Sequence, residues 1–288
     1  MNKKVLLLTY EGPRFGGGHK KRCLSIKLEL EKLGVSASLR IISEICDFDT
    51  LSNIDSNELL LVDIPLQLQK FIGENLQERS FFALDWSETT PIPEINFAAF
   101  VSSNLTYPSK RLTLSGPEYL VIPDFEQCQG EKKKEFDVLV VLGANPNPEK
   151  LDLAIDFAMS LGDKVVVIGH TAPKRYEKNR KVKYLGFIDE PITFMQKARN
   201  VISNSGITLL QSLFVGVSTY SWPQNSQEID FLRNFVCKLT SVTELVSENG
   251  NLVVAKSDSS HALKLWEVTD GRGASRIARN LLHNIEIA

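Results

Sequence analysis

Two short stretches of small and polar residues hold the chain's most suggestive chemistry. Gly16-Gly17-Gly18-His19-Lys20-Lys21-Arg22 lies between an apolar run and an amphipathic one. Glycines let a backbone approach a ligand closely and adopt positive φ. A helix starting just after them offers free N–H groups and a positive dipole end, which suit an anion such as a diphosphate. His19 is then first in line for proton transfer, because imidazole is the side chain that ordinarily titrates near neutrality. The segment is neither G-x-G-x-x-G nor a Walker loop, so neither a dinucleotide nor ATP follows from it. A solvated basic loop is the plain alternative.

Ser203-Asn204-Ser205-Gly206-Ile207-Thr208 is the second stretch, also between a strand-like run and a helix-like run. Its small residues and hydroxyls could cradle phosphate, and Gln211, one turn on, could reach a ribose hydroxyl. The plain alternative is a helix N-cap by Asn204 or Ser205. Leu142-Gly143-Ala144-Asn145-Pro146 mirrors the first glycine loop in position. Asn and Pro also favour an ordinary turn there.

The remaining residue types are less telling. Cys23, Cys46, Cys128 and Cys237 form no C-x-x-C pair and have no histidine at ligand spacing, which predicts free thiols and no metal site. Of the four histidines, only His19 has reactive neighbours. Charge runs at 131–135 and 173–181 read as solvated segments. Trp86 and Trp222 follow strand-like runs, as core packing or as cleft lining.

Composition narrows the class. The 288 residues carry 33 basic and 35 acidic side chains, and 43% are apolar, an ordinary globular mix. A net charge of −2 argues against nucleic-acid gripping as the main task. Apolar runs are too short for a membrane span, and Glu11 breaks the first before a signal-peptide core could form. The expectation is a cytoplasmic chain with no membrane insertion. Its oligomeric state is left open.

These motifs need elements to hold them. Residues 4–9 read as a strand buried on both faces, and 19–33 as a helix with Ile26, Leu30 and Leu33 in register. Strands are expected at 36–42, 58–64, 80–86 and 95–103, with a helix over 65–78. The polar stretch 126–136 reads as a linker. The alternation then restarts: a strand from Phe136, a helix over 148–162, strands at 164–169 and 181–187, and a helix over 191–200. A strand then leads into Ser203-Asn204-Ser205-Gly206, and a helix starting at Ile207, a strand to Trp222 and a C-terminal helix over 275–285 follow. Two βα series imply an α/β chain with two Rossmann-like, doubly wound parallel sheets facing a central cleft. Residues 1–130 would form the first domain and 131–288 the second, with the C-terminal helix packing back on the first.

Taken together, the motifs resemble the nucleotide-sugar hydrolases of pseudaminic acid biosynthesis and related GT-B proteins of surface-polysaccharide loci. GGGHKKRCLSIKLELEKLG is similar to the family's G-x-G-H-x-x-R-C-L segment. SGPEYLVIPDF resembles its G-x-x-Y-x-x-x-x-x-x-F segment, and ISNSGITLLQSLFVGV its S-x-G-x-(S/T)-x-x-E helix.

The resemblance implies a metal-independent enzyme without cofactor, with UDP as part of the substrate and as product. His19 would position or deprotonate the water that attacks the anomeric carbon. Gly17, Gly18, Gly143, Asn204, Ser205, Gly206, Ile207 and Thr208 would lie at the nucleotide. Phe187 and Ile188 backbone groups would meet the uracil, and Gln211 the ribose. Asp63, Asn145, Asn225 and Gln227 would lie on the sugar side. Gln211 stands where the family has Glu, Ile64 where it has His or Ser, and Ser205 where it has Gly, which predicts crowding of the phosphate. A GT-B glycosyltransferase using a UDP-sugar, or a catalytically impaired nucleotide-sugar binder, are the alternatives.

Overall fold

The computed structural model describes residues 4–12, 17–42, 51, 54–55, 57–76, 81–84, 97–102, 113–128, 132–143, 145–237, 240–255 and 264–287. The chain divides into two units, Met1–Pro123 with Thr269–Ala288, and Asp124–Val268. The first break thus falls ahead of the charged stretch, and the last residues return to the first unit.

The first unit is built on a parallel sheet of six strands in the order β2-β1-β3-β4-β5-β6. They are β1 (Lys4–Tyr10), β2 (Ala37–Ile42), β3 (Glu58–Asp63), β4 (Phe81–Leu84), β5 (Phe97–Ser102) and β6 (Thr113–Ser115). The period-2 alternation of a strand explains why β1 is apolar throughout. Val5 and Leu7 enter one core layer, while Leu6 and Leu8 enter the layer on the other face. Helix α1 (Gly18–Lys32) buries Cys23, Ile26 and Leu30, a single stripe at helical spacing. The C-terminal helix (Gly273–Ile287) buries Ala274, Ile277, Ala278 and Leu281 in that same layer. Helix α2 (Leu66–Asn75) covers the opposite face through Ile72.

The second unit holds seven strands in the order β13-β12-β11-β10-β7-β8-β9. These are β7 (Phe136–Val141), β8 (Val165–Val167), β9 (Val182–Tyr184), β10 (Ala198–Ser203), β11 (Ser218–Ser221), β12 (Thr243–Glu248) and β13 (Asn251–Val254). All neighbours are parallel except β12 and β13, which pair as an antiparallel hairpin. That hairpin was not anticipated, although its turn residues Asn249 and Gly250, at φ 49° and 77°, are a strong hairpin signal. The short strand β6 was also missed.

Helix α3 (Pro148–Leu161) is capped by Asn147 Oδ1, which accepts from the Glu149 and Lys150 amides at 2.9 and 3.3 Å. Helices α4 (Ile192–Met195), α5 (Ile207–Val215) and α6 (Ser226–Phe231) complete the crossovers. The helix expected over 191–200 stops early. Ala198 and Asn200 already pair with Phe136 and Val138 of β7, so sheet pairing overrides a weak helical pattern. Among the described residues, no helix is long and apolar enough to cross a membrane.

Each sheet has one point where the winding reverses, between β1 and β3 and between β7 and β10. Crossover connections leave in opposite directions there, so the loops diverge and open a crevice at the carboxyl ends of the strands. Both motifs singled out by sequence follow strands at these points.

Candidate functional site

In the first unit the reversal brings together residues more than forty positions apart. His19 is the second residue of α1, just past β1, and Asp63 is the last residue of β3. Their Nδ1 and Oδ1 atoms lie 2.7 Å apart. Arg22, one helical turn after His19, donates Nε to Asp63 Oδ2 at 2.9 Å and Nη2 to Oδ1 at 2.5 Å. Asp63 is fully buried, whereas the His19 side chain remains 23% exposed. Burial pushes the Asp63 carboxyl upward, but the Arg22 and His19 charges and hydrogen bonds outweigh it and hold it below the usual carboxylate range.

That geometry decides the imidazole tautomer. An ionised carboxylate only accepts, so Nδ1 must carry the proton that lies between it and Oδ1. The lone pair is left on Nε2, which is the form a general base needs. Asp63, which the resemblance puts on the sugar side, is fully buried here and engages His19 and Arg22 through its two oxygens. Beside the pair, burial and the Asp63 charge push the Cys23 thiol well up, so it stays a buried free thiol.

The described glycines ahead of His19 do not use the left-handed backbone that glycine permits. Gly17 is the residue before the helix at φ −105°, and Gly18 is the first helical residue, so neither uses positive φ. Gly16 lies outside the described residues.

In the second unit Gly143, Asn204 and Gly206 converge at the other reversal. Gly143 has φ +84°, which favours glycine, and a Cβ there would sit in ordinary contact with Asn204 Nδ2 at 4.0 Å. Helix α5 begins after Gly206 with no side-chain cap, which sets aside the capping role for Asn204 or Ser205. Asn204 Oδ1 and Ser203 Oγ are buried with no hydrogen-bond partner among the described residues. Thr208 and Ile207 open the helix.

Three of the expected site residues are engaged locally or buried. The Ser205 hydroxyl meets Ser221 Oγ at 2.7 Å, tying the loop after β10 to β11. Asn225 caps α6, accepting from the Glu228 amide at 2.9 Å, so its amide oxygen is spent locally. Gln211 is only 2% exposed, a buried amide of the α5 core face. Asn145 is exposed beside Gly143, and the Gln227 side chain lies outside the described residues. Trp222 is core packing at 6% exposure, and Trp86 lies outside the described residues.

Two groups escaped the sequence reading. Glu228 Oε1 accepts from Asn204 Nδ2 at 2.8 Å, and its Oε2 accepts from the backbone amides of Gln224 at 2.8 Å and Ser205 at 3.2 Å. The Ser205 amide, expected to hold a phosphate, is thus occupied by a carboxylate of the chain itself. The Asn-x-x-Glu spacing of a helix start was the available signal. His170, after β8, stacks on Phe187, after β9, with ring centroids 4.2 Å apart and planes 8° apart. Phe187 stays 46% exposed, and Ile188 follows it half-buried. Among the described residues, no group of three His, Cys, Asp or Glu side chains stands where it could hold a metal ion.

No protein-family profile matches the chain. It is 22% identical to the uncharacterized protein MJ1062 of Methanocaldococcus jannaschii over 307 aligned positions, covering 90% of this chain and 63% of that protein. The chain therefore spans less than two-thirds of that relative. Among solved structures, it is similar to the UDP-GlcNAc 2-epimerase of Methanocaldococcus jannaschii, with TM-score 0.56 and 12% identity over 97% of this chain and 100% of that one. Arabidopsis thaliana UGT89C1 gives TM-score 0.56 and 11% identity, over 97% of this chain and 95% of its own. S. aureus MnaA, in a co-structure with UDP, gives 0.54 and 10%, over 99% and 98%. At these identities the likeness establishes the fold, a GT-B-like pair of parallel-sheet α/β units.

Proposed function

We propose that this chain binds a UDP-sugar and hydrolyses it, His19 Nε2 taking a proton from the attacking water. The observation that carries this reading is the His19–Asp63 pair, with Nδ1 tied to a buried carboxylate and Nε2 left to act. Water oxygen would bond to the anomeric carbon as the bond from that carbon to the diphosphate oxygen breaks. The water proton goes to His19, and the resulting imidazolium is stabilised by Asp63. The products are UDP and the free sugar. This scheme asks for no metal or cofactor.

The nucleotide reading draws on the second unit and on its neighbours. The similar structures were solved with UDP-GlcNAc and UDP, with UDP-L-rhamnose, and with UDP. Here the exposed Phe187 ring backed by His170 offers a flat face for a base, with Ile188 backbone groups beside it. The uncapped α5 start and Asn204 Oδ1, which has no partner among the described residues, offer groups for phosphate and ribose.

The test is UDP release from a panel of UDP-sugars without acceptor, with thermal-shift titration against UDP, CDP, GDP and ADP alongside. We expect release from at least one sugar, a saturable shift with UDP, and His19→Ala slower by about a hundredfold or more with the UDP shift kept. Full turnover in His19→Ala would overturn the mechanism. Release only on adding an acceptor would make the chain a glycosyltransferase, and an epimerised sugar an isomerase. Binding without turnover would leave it a nucleotide-sugar binder. No shift with any nucleotide would refute the reading.

A further inference from the structure

The motif containing His19 also contains Arg22, which nothing in the proposed proton transfer uses. Its guanidinium nevertheless lies in the same cluster. Nε reaches Asp63 Oδ2 at 2.9 Å, while Nη2 reaches Oδ1 and comes within 3.2 Å of His19 Nδ1. The side chain is 16% exposed and Asp63 is fully buried.

A guanidinium has donors and no acceptor. Two tautomers of His19 compete for this arrangement. With the proton on Nε2, Nδ1 would accept from Arg22 at 3.2 Å but set its lone pair against Asp63 Oδ1 at 2.7 Å. With the proton on Nδ1, it donates to that oxygen, and Arg22 spends its donors on the carboxylate. The second arrangement keeps the 2.7 Å hydrogen bond and leaves only a longer 3.2 Å contact between two donors, provided that Asp63 stays ionised and in place. A carboxylate with no exposure does neither unaided, because burial favours its neutral form. A neutral Asp63 could donate to His19, and the preference for the Nδ1 proton would be lost.

We infer that Arg22 is a positioning residue for His19: its two-pronged grip keeps Asp63 ionised and fixed, and so holds the imidazole with its proton on Nδ1 and its lone pair on Nε2. The inference rests on the proposed base role of His19, but its main readout does not need turnover. Among the described residues, the buried Cys23 thiol lies beside Asp63, and Lys20 Nζ donates to Glu11 at 2.8 Å. Neither bonds to Asp63 or His19 in a way that could replace Arg22.

The experiment is ¹⁵N NMR of the imidazoles at about pH 8.5, where histidines are mostly neutral. The four histidine side chains are sorted by the signal missing in His19→Gln. In the wild-type chain we expect His19 as the Nδ1–H tautomer. In Arg22→Met it becomes a mixture or shifts to Nε2–H. Arg22→Lys, which restores the charge without the fork, lies between the two. Where UDP-sugar hydrolysis is measurable, kcat of Arg22→Met falls about ten- to hundredfold with KM little changed. An Nε2–H tautomer in the wild-type chain would overturn the inference. So would an unaltered Nδ1–H tautomer in Arg22→Met, or in Arg22→Lys should the Met variant fail to fold. Absence of hydrolysis in the wild-type chain would strike the function alone and leave the tautomer result to stand.

Discussion

Asp63→Asn tests how much of the first unit's stability and chemistry depends on one buried carboxylate. Asp63 accepts from His19 and twice from Arg22, and has no exposure. Removing one partner of a buried ion pair costs about 3–5 kcal/mol, because the other charge is left uncompensated. Asparagine keeps the shape and one acceptor, and Arg22 and His19 retain 16% and 23% exposure, so solvent recovers part of that loss. We expect roughly 2–3 kcal/mol at pH 7, read as a melting temperature lower by about 5–10 °C.

The pH dependence has a definite sign. The folded carboxyl is held below its ordinary value, so its stabilisation is present above about pH 4 and is lost as pH falls through the folded value. The gap between the wild-type chain and Asp63→Asn should therefore be wide at pH 7 and close at strongly acid pH. The assay is urea unfolding followed by circular dichroism at a series of pH values. Asp63→Leu combined with Arg22→Met, which removes both charges, should lose less than Asp63→Leu alone. A gap under about 1 kcal/mol at pH 7, or one that stays constant down to pH 3, would refute the reasoning.

Glu228→Gln removes a negative charge beside the entrance of α5. Where that entrance holds a diphosphate, UDP should bind about tenfold tighter while uridine is unchanged, as read by calorimetry. Equal changes for both ligands would rule out a phosphate effect. Gly273→Ala should destabilise the chain, since a Cβ there would stand 2.3 Å from the Leu120 carbonyl oxygen. An overpacked backbone contact costs about 1–3 kcal/mol. Because alanine in a free helix would instead add up to about 1 kcal/mol, the sign of the change in urea midpoint decides the matter.

Periodicity alone made the alternation of strands and helices legible, because each element carries its own burial pattern. The continuous apolar run of β1 and the Ala274, Ile277, Ala278 and Leu281 stripe are local facts of the chain. Where the local pattern was weak, it failed. The 191–200 segment scanned as helix, yet Ala198 onward pairs with β7, and the Asn249-Gly250 turn passed unnoticed between two short strands. His19 could be singled out from its glycine-rich approach to a helix. Its partner could not, because Asp63 lies 44 residues away. In the sequence Asp63 reads only as a sugar-side residue and Arg22 only as part of a basic cluster, and their contact appears once β3 lies beside β1. Similarly, Glu228 and the Ser205 amide meet only because β11 lies against β10. Local sequence sets which segments become strands and helices. Which strands lie side by side is settled by burying both faces of each sheet at once, and that pairing alone brings scattered polar residues such as His19, Arg22 and Asp63 into one cluster.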